Sequence, residues 1–261
     1  MSINPIKIAI IDMYDDTSNL GMTCIVAIIN AWSKKNDIEM QYQIFPLRHK
    51  GEIPDHSFDI YLSTGGPGSP IDSVGSPWDN LYVKWLQDML SQQKPVLLIC
   101  HSFQIACRHF NFGNVCLRKS TQIGVLPVHP LVADPIFANL NDPFYTLESR
   151  LYQIIEPNDE NINKLGAKII ALEKHRPHVP LERAIMAIKF SDTIYGVQFH
   201  PEGEKNILLE FFNEEKNKKN IIDKFGAEKW EVIISKLNDD EKLPKTHAHF
   251  IPNFLNLAIG N

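Results

Sequence analysis

The chain has 261 residues, with 44% hydrophobic and 22% charged side chains, which suits a globular protein able to bury a sizeable core. A formal net charge of −5 leaves no basic excess to neutralise phosphates and argues against a general nucleic-acid partner. No apolar run is long enough for a membrane span and no signal-like segment opens the chain, so the expected setting is the cytoplasm, with no membrane partner.

The four cysteines, Cys24, Cys100, Cys107 and Cys116, include no CxxC pair, which points to reduced thiols rather than a disulfide framework or a zinc site. The ten histidines form no HExxH pattern, and His247 and His249 read as surface residues of a helix. Neither a metal nor a cofactor is expected.

In chain order, residues 6–11 form an apolar run closed by Asp12, the pattern of a strand buried on both faces. Asp15, Asp16, Thr17 and Ser18 supply loop and cap residues before a helix whose apolar face is Cys24, Ile25, Ile28, Ile29 and Trp32. Strands are expected over 40–45 and 58–62. The second leads directly into Thr64-Gly65-Gly66-Pro67-Gly68-Ser69, a tight loop whose backbone N–H groups can point outward as an anion or oxyanion site. It lacks the Gly-Lys-Ser/Thr ending of a phosphate P-loop. Ser76 and Pro77 then start a helix carrying Trp78, Leu81, Tyr82, Trp85, Leu86, Met89 and Leu90 at a 3.6-residue period.

Residues 96–99 form the next buried strand, and it stops at Cys100. Phe103, Ile105, Ala106, Cys107 and Phe110 follow at helical spacing, so Cys100 stands at a sharp strand-to-helix turn. There the free N–H groups and dipole of the helix favour a thiolate. A free cysteine is more often a small buried hydrophobe, so the nucleophile reading needs a base and an oxyanion site from elsewhere.

From Asn114 to Phe199 the pattern turns mostly to β, with candidate strands at 115–118, 124–128, 144–147, 151–155, 168–172, 184–190 and 194–199. Arg150 in this stretch reads as one member of a surface salt bridge. The stretch ends in Gly196-Val197-Gln198-Phe199-His200-Pro201-Glu202. In extended chain His200 and Glu202 project to one side, with Pro201 stiffening the backbone between them. A histidine held by a carboxylate is the arrangement of an oriented general base. After Glu202 the spacing is helical to the end, with Phe250, Ile251, Phe254, Leu255 and Ala258 marking the last stripe.

The glycine loop, the Cys100 turn with Gln104 four residues on, and the final His-Pro-Glu segment resemble, in order and spacing, the class I (triad) glutamine amidotransferases. Their form is most similar to the glutaminase part of GMP synthases and related stand-alone chains. The resemblance implies a doubly wound, mainly parallel α/β sheet of the flavodoxin-like type over residues 1–205, with 206–261 as a helical C-terminal extension packed on it. It also implies a Cys100–His200–Glu202 triad, an oxyanion hole from the N–H groups of Gly66 and His101, and substrate binding by Gln104. L-glutamine would be hydrolysed through a cysteine thioester to glutamate and ammonia, for a separate ammonia-accepting synthase partner. This chain carries Leu98 and Ser102 where the family has glycines on either side of the nucleophile. A γ-glutamyl hydrolase or peptidase on the same triad, and a non-catalytic binding protein of the same fold, remain alternatives.

Overall fold

The computed structural model describes residues 5–178 and 180–260. A single nine-stranded sheet runs through it in the order β2-β1-β3-β4-β9-β8-β7-β5-β6. Strands β1 (Ile6–Asp12), β2 (Met40–Pro46), β3 (Ile60–Ser63), β4 (Val96–Ile99) and β9 (Ile194–Val197) pair in parallel. Beyond β9 the sheet becomes antiparallel, through β8 (Ile185–Lys189), β7 (Lys168–Glu173), β5 (Asn114–Pro130) and β6 (Phe144–Ile155). The sheet is therefore mixed, its parallel half being the one that sequence periodicity reads most easily.

The parallel strands are apolar throughout because both faces are covered. Ile8 and Ile10 join one core with helices α1 (Leu20–Asn36) and α9 (Leu243–Ala258). Their neighbours Ala9 and Ile11 join the other, under α3 (Pro77–Ser91) and α4 (His101–His109). Side chains alternate across a pleated strand, so both cores draw on each strand. Ser76 caps α3 as its sequence indicates, while Asn19, rather than the residues before it, caps α1 by accepting from Met22 N.

Three features depart from the sequence reading. The segments expected as four short strands are two long ones, β5 and β6, paired as a ribbon with an irregularity between Leu117 and Gln122. Two short helices lie outside the expected elements, α2 (Leu47–Lys50) and α5 (Asp159–Leu165). For α5 the signals are present: an Asn158 cap, Asp159 and Glu160 in the first turn, and Gly166 with positive φ at its end.

Helices α6 (Lys205–Asn213), α7 (Glu215–Phe225) and α8 (Ala227–Leu237) gather around a smaller core of Val125, Leu208, Phe212, Ile221, Ile233, Leu237 and Leu243. Helix α9 then returns to the main sheet. Its Phe250 packs against Phe137, Phe144 and Phe199, and Phe254 against Tyr195. Asn253 donates to the carbonyls of Ile136 and Ala138, and Trp32 donates to Asn256. The apolar stripe of the last helix thus covers one face of the chain's own sheet. Among the described residues no helix is long and apolar enough to cross a membrane.

Candidate active site

The strand-to-helix turn is strained at one residue. Cys100 has φ 49° and ψ −97°, a left-handed conformation that a side chain disfavours by roughly 1–3 kcal/mol. Two backbone bonds hold it there: Cys100 N–H donates to Val197 O at 2.7 Å, and Gln104 N–H donates to Cys100 O at 2.9 Å. The sulfur is delivered to the carboxyl end of the sheet, at the start of α4. His101 lies in the first turn, where amide N–H groups have no acceptor within the helix.

His200 follows β9 and is set by β6, since His200 N–H donates to Leu147 O at 2.9 Å. Its Nδ1 and Glu202 Oε1 are 2.8 Å apart, with the Glu202 side chain 2% exposed and that of His200 13%. With Nδ1 donating to the carboxylate, Nε2 is left as the proton acceptor of the ring. The imidazole passes so close to Gly65 that a Cβ there would lie 2.7 Å from His200 Cε1 and 3.5 Å from Cys100 Cβ. Only glycine lets the loop, His200 and Cys100 meet. Burial works against a charge on His200, but the Glu202 carboxylate, then Cys100, outweigh it and hold the imidazolium well above its ordinary pKa.

The glycine loop is tethered along its length. Thr64 N–H donates to Ile11 O, and Met13 N–H donates to Thr64 Oγ1. Arg48 of α2, stacked over Trp78, donates to Met13 O at 3.1 Å and to Pro67 O at 2.5 Å. Arg108 of α4 donates from Nη2 to both Asp79 oxygens, at 2.7 and 2.9 Å, and from Nη1 to Pro70 O. Gly66 itself presses against the Met13 carbonyl, which leaves no space for a side chain.

Ser102 explains one departure from the glycine pattern. It does not cap α4; its hydroxyl donates to Thr64 O at 2.6 Å and lies 2.7 Å from Ser63 Oγ, which accepts from Tyr82. The relay Tyr82–Ser63–Ser102–Thr64 ties the loop to the elbow. Leu98 faces the core under α3 and α4 with Tyr82, Trp85 and Phe103, opposite Gly196 of β9, and takes no part in lining the site.

These residues open onto a cavity of about 460 Å³. Cys100, His200, Glu202 and Gly66 line it together with Tyr14, Ser149 and the start of α1. Tyr14 escapes a reading of the sequence because one tyrosine after a strand carries no pattern. Burial, then Glu202 and Cys100, keep its phenol protonated well above the ordinary range. Gln104 is buried behind Cys100, donating to Gln198 Oε1 at 3.2 Å, and Gln198 reaches Cys100 Sγ at 3.7 Å. The His101 side chain is buried beside Trp78, and burial, then Arg48 and Arg108, push its pKa down to about 3. Arg150 is no surface residue: it is buried, paired with Glu148 at 2.8 Å, and its far end reaches Glu173 of β7 and Met186 of β8.

The fold has counterparts among known proteins. The family profile "Glutamine amidotransferase class-I" matches residues 21–208. Among solved structures, a glutamine amidotransferase from Thermotoga maritima superposes with a TM-score of 0.73 at 15% identity, covering 99% of this chain and 100% of that one. The glutaminase domain of CTPS from Trypanosoma brucei, with bound acivicin, gives 0.61 at 13% identity over 98% of this chain and 94% of that one. A putative GMP synthase subunit from Thermoplasma acidophilum gives 0.54 at 18% identity over 77% and 87%. A search of curated protein sequences finds no match. With most of its length matched by the family profile, the chain belongs to the class I glutamine amidotransferases.

Proposed function

We propose that the chain hydrolyses the side-chain amide of L-glutamine through a thioester on Cys100, with His200 as base and Glu202 as its orienter. The observation that carries this is the convergence of a strained cysteine, a carboxylate-held histidine and a tethered glycine loop on one cavity. The Cys100 thiolate attacks the amide carbon while the imidazolium of His200 gives its proton to the leaving nitrogen. The oxyanion is received by the N–H groups of Gly66 and His101, whose positions the tethers fix before substrate arrives. Water then attacks the thioester, His200 takes its proton, and the thiolate departs.

Gln104, assigned to substrate binding by resemblance, acts in this reading through Gln198 on the sulfur. Residues 206–261 are proposed as an extension packed on the 1–205 domain. The ammonia would pass to a separate synthase, in a cytoplasmic setting that suits four free thiols.

The test is glutamate release from L-glutamine by wild type and Cys100→Ala, with a glutamine-like chloroketone as the covalent probe. Release is expected to vanish in the variant, and mass spectrometry to find the adduct on Cys100 alone. Cys24 also lines the cavity, but burial pushes its thiol up to about 11, so it should stay unlabelled. Labelling of Cys24 with Cys100 untouched would remove the assignment.

A further inference from the structure

The cavity is larger and more apolar than free glutamine requires. At about 460 Å³ it falls in the range of roughly 300–1,000 Å³ typical of sites that enclose drug-sized ligands. Among the described residues its lining holds no lysine or arginine, and a contiguous set of apolar side chains forms one wall: Leu20, Ile123, Leu147, Leu208, Phe211 and Phe212. Helix α6 brings in the last three. Leu208 and Phe212 are fixed by the core beneath them, whereas Phe211 remains 37% exposed.

The position of this wall relative to the proton donor is what gives it meaning. Gly203 directly follows the His200–Glu202 pair, and a Cβ on it would lie 3.2 Å from both Leu147 Cβ and Leu208 Cδ1. The leaving nitrogen of a γ-glutamyl amide must face His200 to collect its proton. Any substituent on that nitrogen is therefore directed past His200 and Glu202, onto Leu147, Leu208 and Phe211.

From this we infer that the chain cleaves γ-glutamyl amides of neutral, apolar amines, with the amine carried on the α6 wall. The inference rests on the Cys100–His200–Glu202 reading and extends its substrates from glutamine to N-substituted γ-glutamyl amides, with glutamine as the slower one. The step balances as a hydrolysis. The C–N bond breaks as the thioester forms, the amine leaves with the proton from His200, and water releases glutamate and restores the thiol. A leaving group that bears a carboxylate, as in a γ-glutamyl peptide, would be set against Leu147, Leu208 and Phe211, whose side chains offer it no polar partner. Ammonia makes no use of an apolar wall as a leaving group.

The experiment compares kcat/KM for L-glutamine, γ-glutamylglycine and γ-glutamylbenzylamide, in wild type and in Phe211→Ser and Leu208→Ala. Each methylene held in an apolar pocket contributes roughly 10–200-fold in discrimination. The benzylamide is accordingly expected to exceed the other two substrates at least tenfold. Both variants are expected to lower the benzylamide-to-glutamine ratio about tenfold, and the rim position of Phe211 keeps that test independent of folding. Cleavage of glutamine with a slower benzylamide, or a ratio unmoved by both variants, overturns the inference and leaves the Cys100 chemistry standing. A faster γ-glutamylglycine overturns it as well. Failure of all three substrates to release glutamate or acylate Cys100 removes the underlying reading itself.

Discussion

Ser102→Ala tests whether the elbow and the glycine loop are one mechanical unit. The Ser102 hydroxyl has a single proton, given to Thr64 O at 2.6 Å, so it must accept from Ser63, which in turn accepts from Tyr82. All four residues are buried. Alanine leaves the Thr64 carbonyl and the Ser63 hydroxyl each without its partner, at about 1–3 kcal/mol apiece. Alanine's better helix propensity offsets about 0.5 kcal/mol. A net loss of about 1.5–5.5 kcal/mol is expected, which in a chain of this size lowers Tm by roughly 3–22 °C. The loop carrying Gly66 is also released, so kcat should drop about tenfold, below the ceiling of roughly 10²–10³ for complete loss of an oxyanion donor. Thermal unfolding and glutamate release, measured on the same preparation, decide the matter. A Tm within about 2 °C of wild type with unchanged kcat would refute the coupling. Ser102→Gly, which restores the family form, is expected to be no more stable than Ser102→Ala, because it loses the same two bonds and adds backbone freedom.

Glu202→Gln removes the carboxylate that raises His200. The alkaline limb of the pH–kcat/KM profile should move to lower pH, while kcat stays above that of His200→Ala; an unmoved limb would contradict the role assigned to Glu202. Because the folded pKa of His200 lies above its unfolded value, the ion pair's stabilisation is present below about pH 6.5 and is lost as pH rises through the folded pKa. The variant should lose that pH dependence of Tm. Phe250→Ala empties a fully buried site against Phe137, Phe144 and Phe199, and about 3–5 kcal/mol of stability should go with it in urea denaturation. A loss under about 1 kcal/mol would mean that α9 is peripheral to the core.

Much of the site is legible because its chemistry is written in short local patterns. An apolar run ending at Cys100, a glycine loop after β3 and the His200-Pro201-Glu202 segment each announce a conformation from neighbouring residues alone. Tyr14, Ser149 and the aromatic edge of α6 are not legible, since each reaches the cavity from a distant part of the chain. Arg150 misleads for the same reason. Its side chain is enclosed with Glu173 of β7 and Met186 of β8, strands distant from it in sequence, which no local pattern reports.

The sequence by itself determined the parallel strands, the elbow and the residues proposed to react, because strand burial and turn chemistry are properties of a few adjacent residues. Tertiary structure alone decided what those groups face. Ser102 became a tether when β3 brought Ser63 and Thr64 beside α4. The last helix became part of the main core when α9 crossed back to the sheet, and there His247 Nδ1 reaches the Glu202 carbonyl at 3.0 Å. The apolar wall beside His200 arose from the fold of α6 against β5 and β6. Contacts across such separations follow from how amphipathic faces find cover, and that depends on every other face in the molecule.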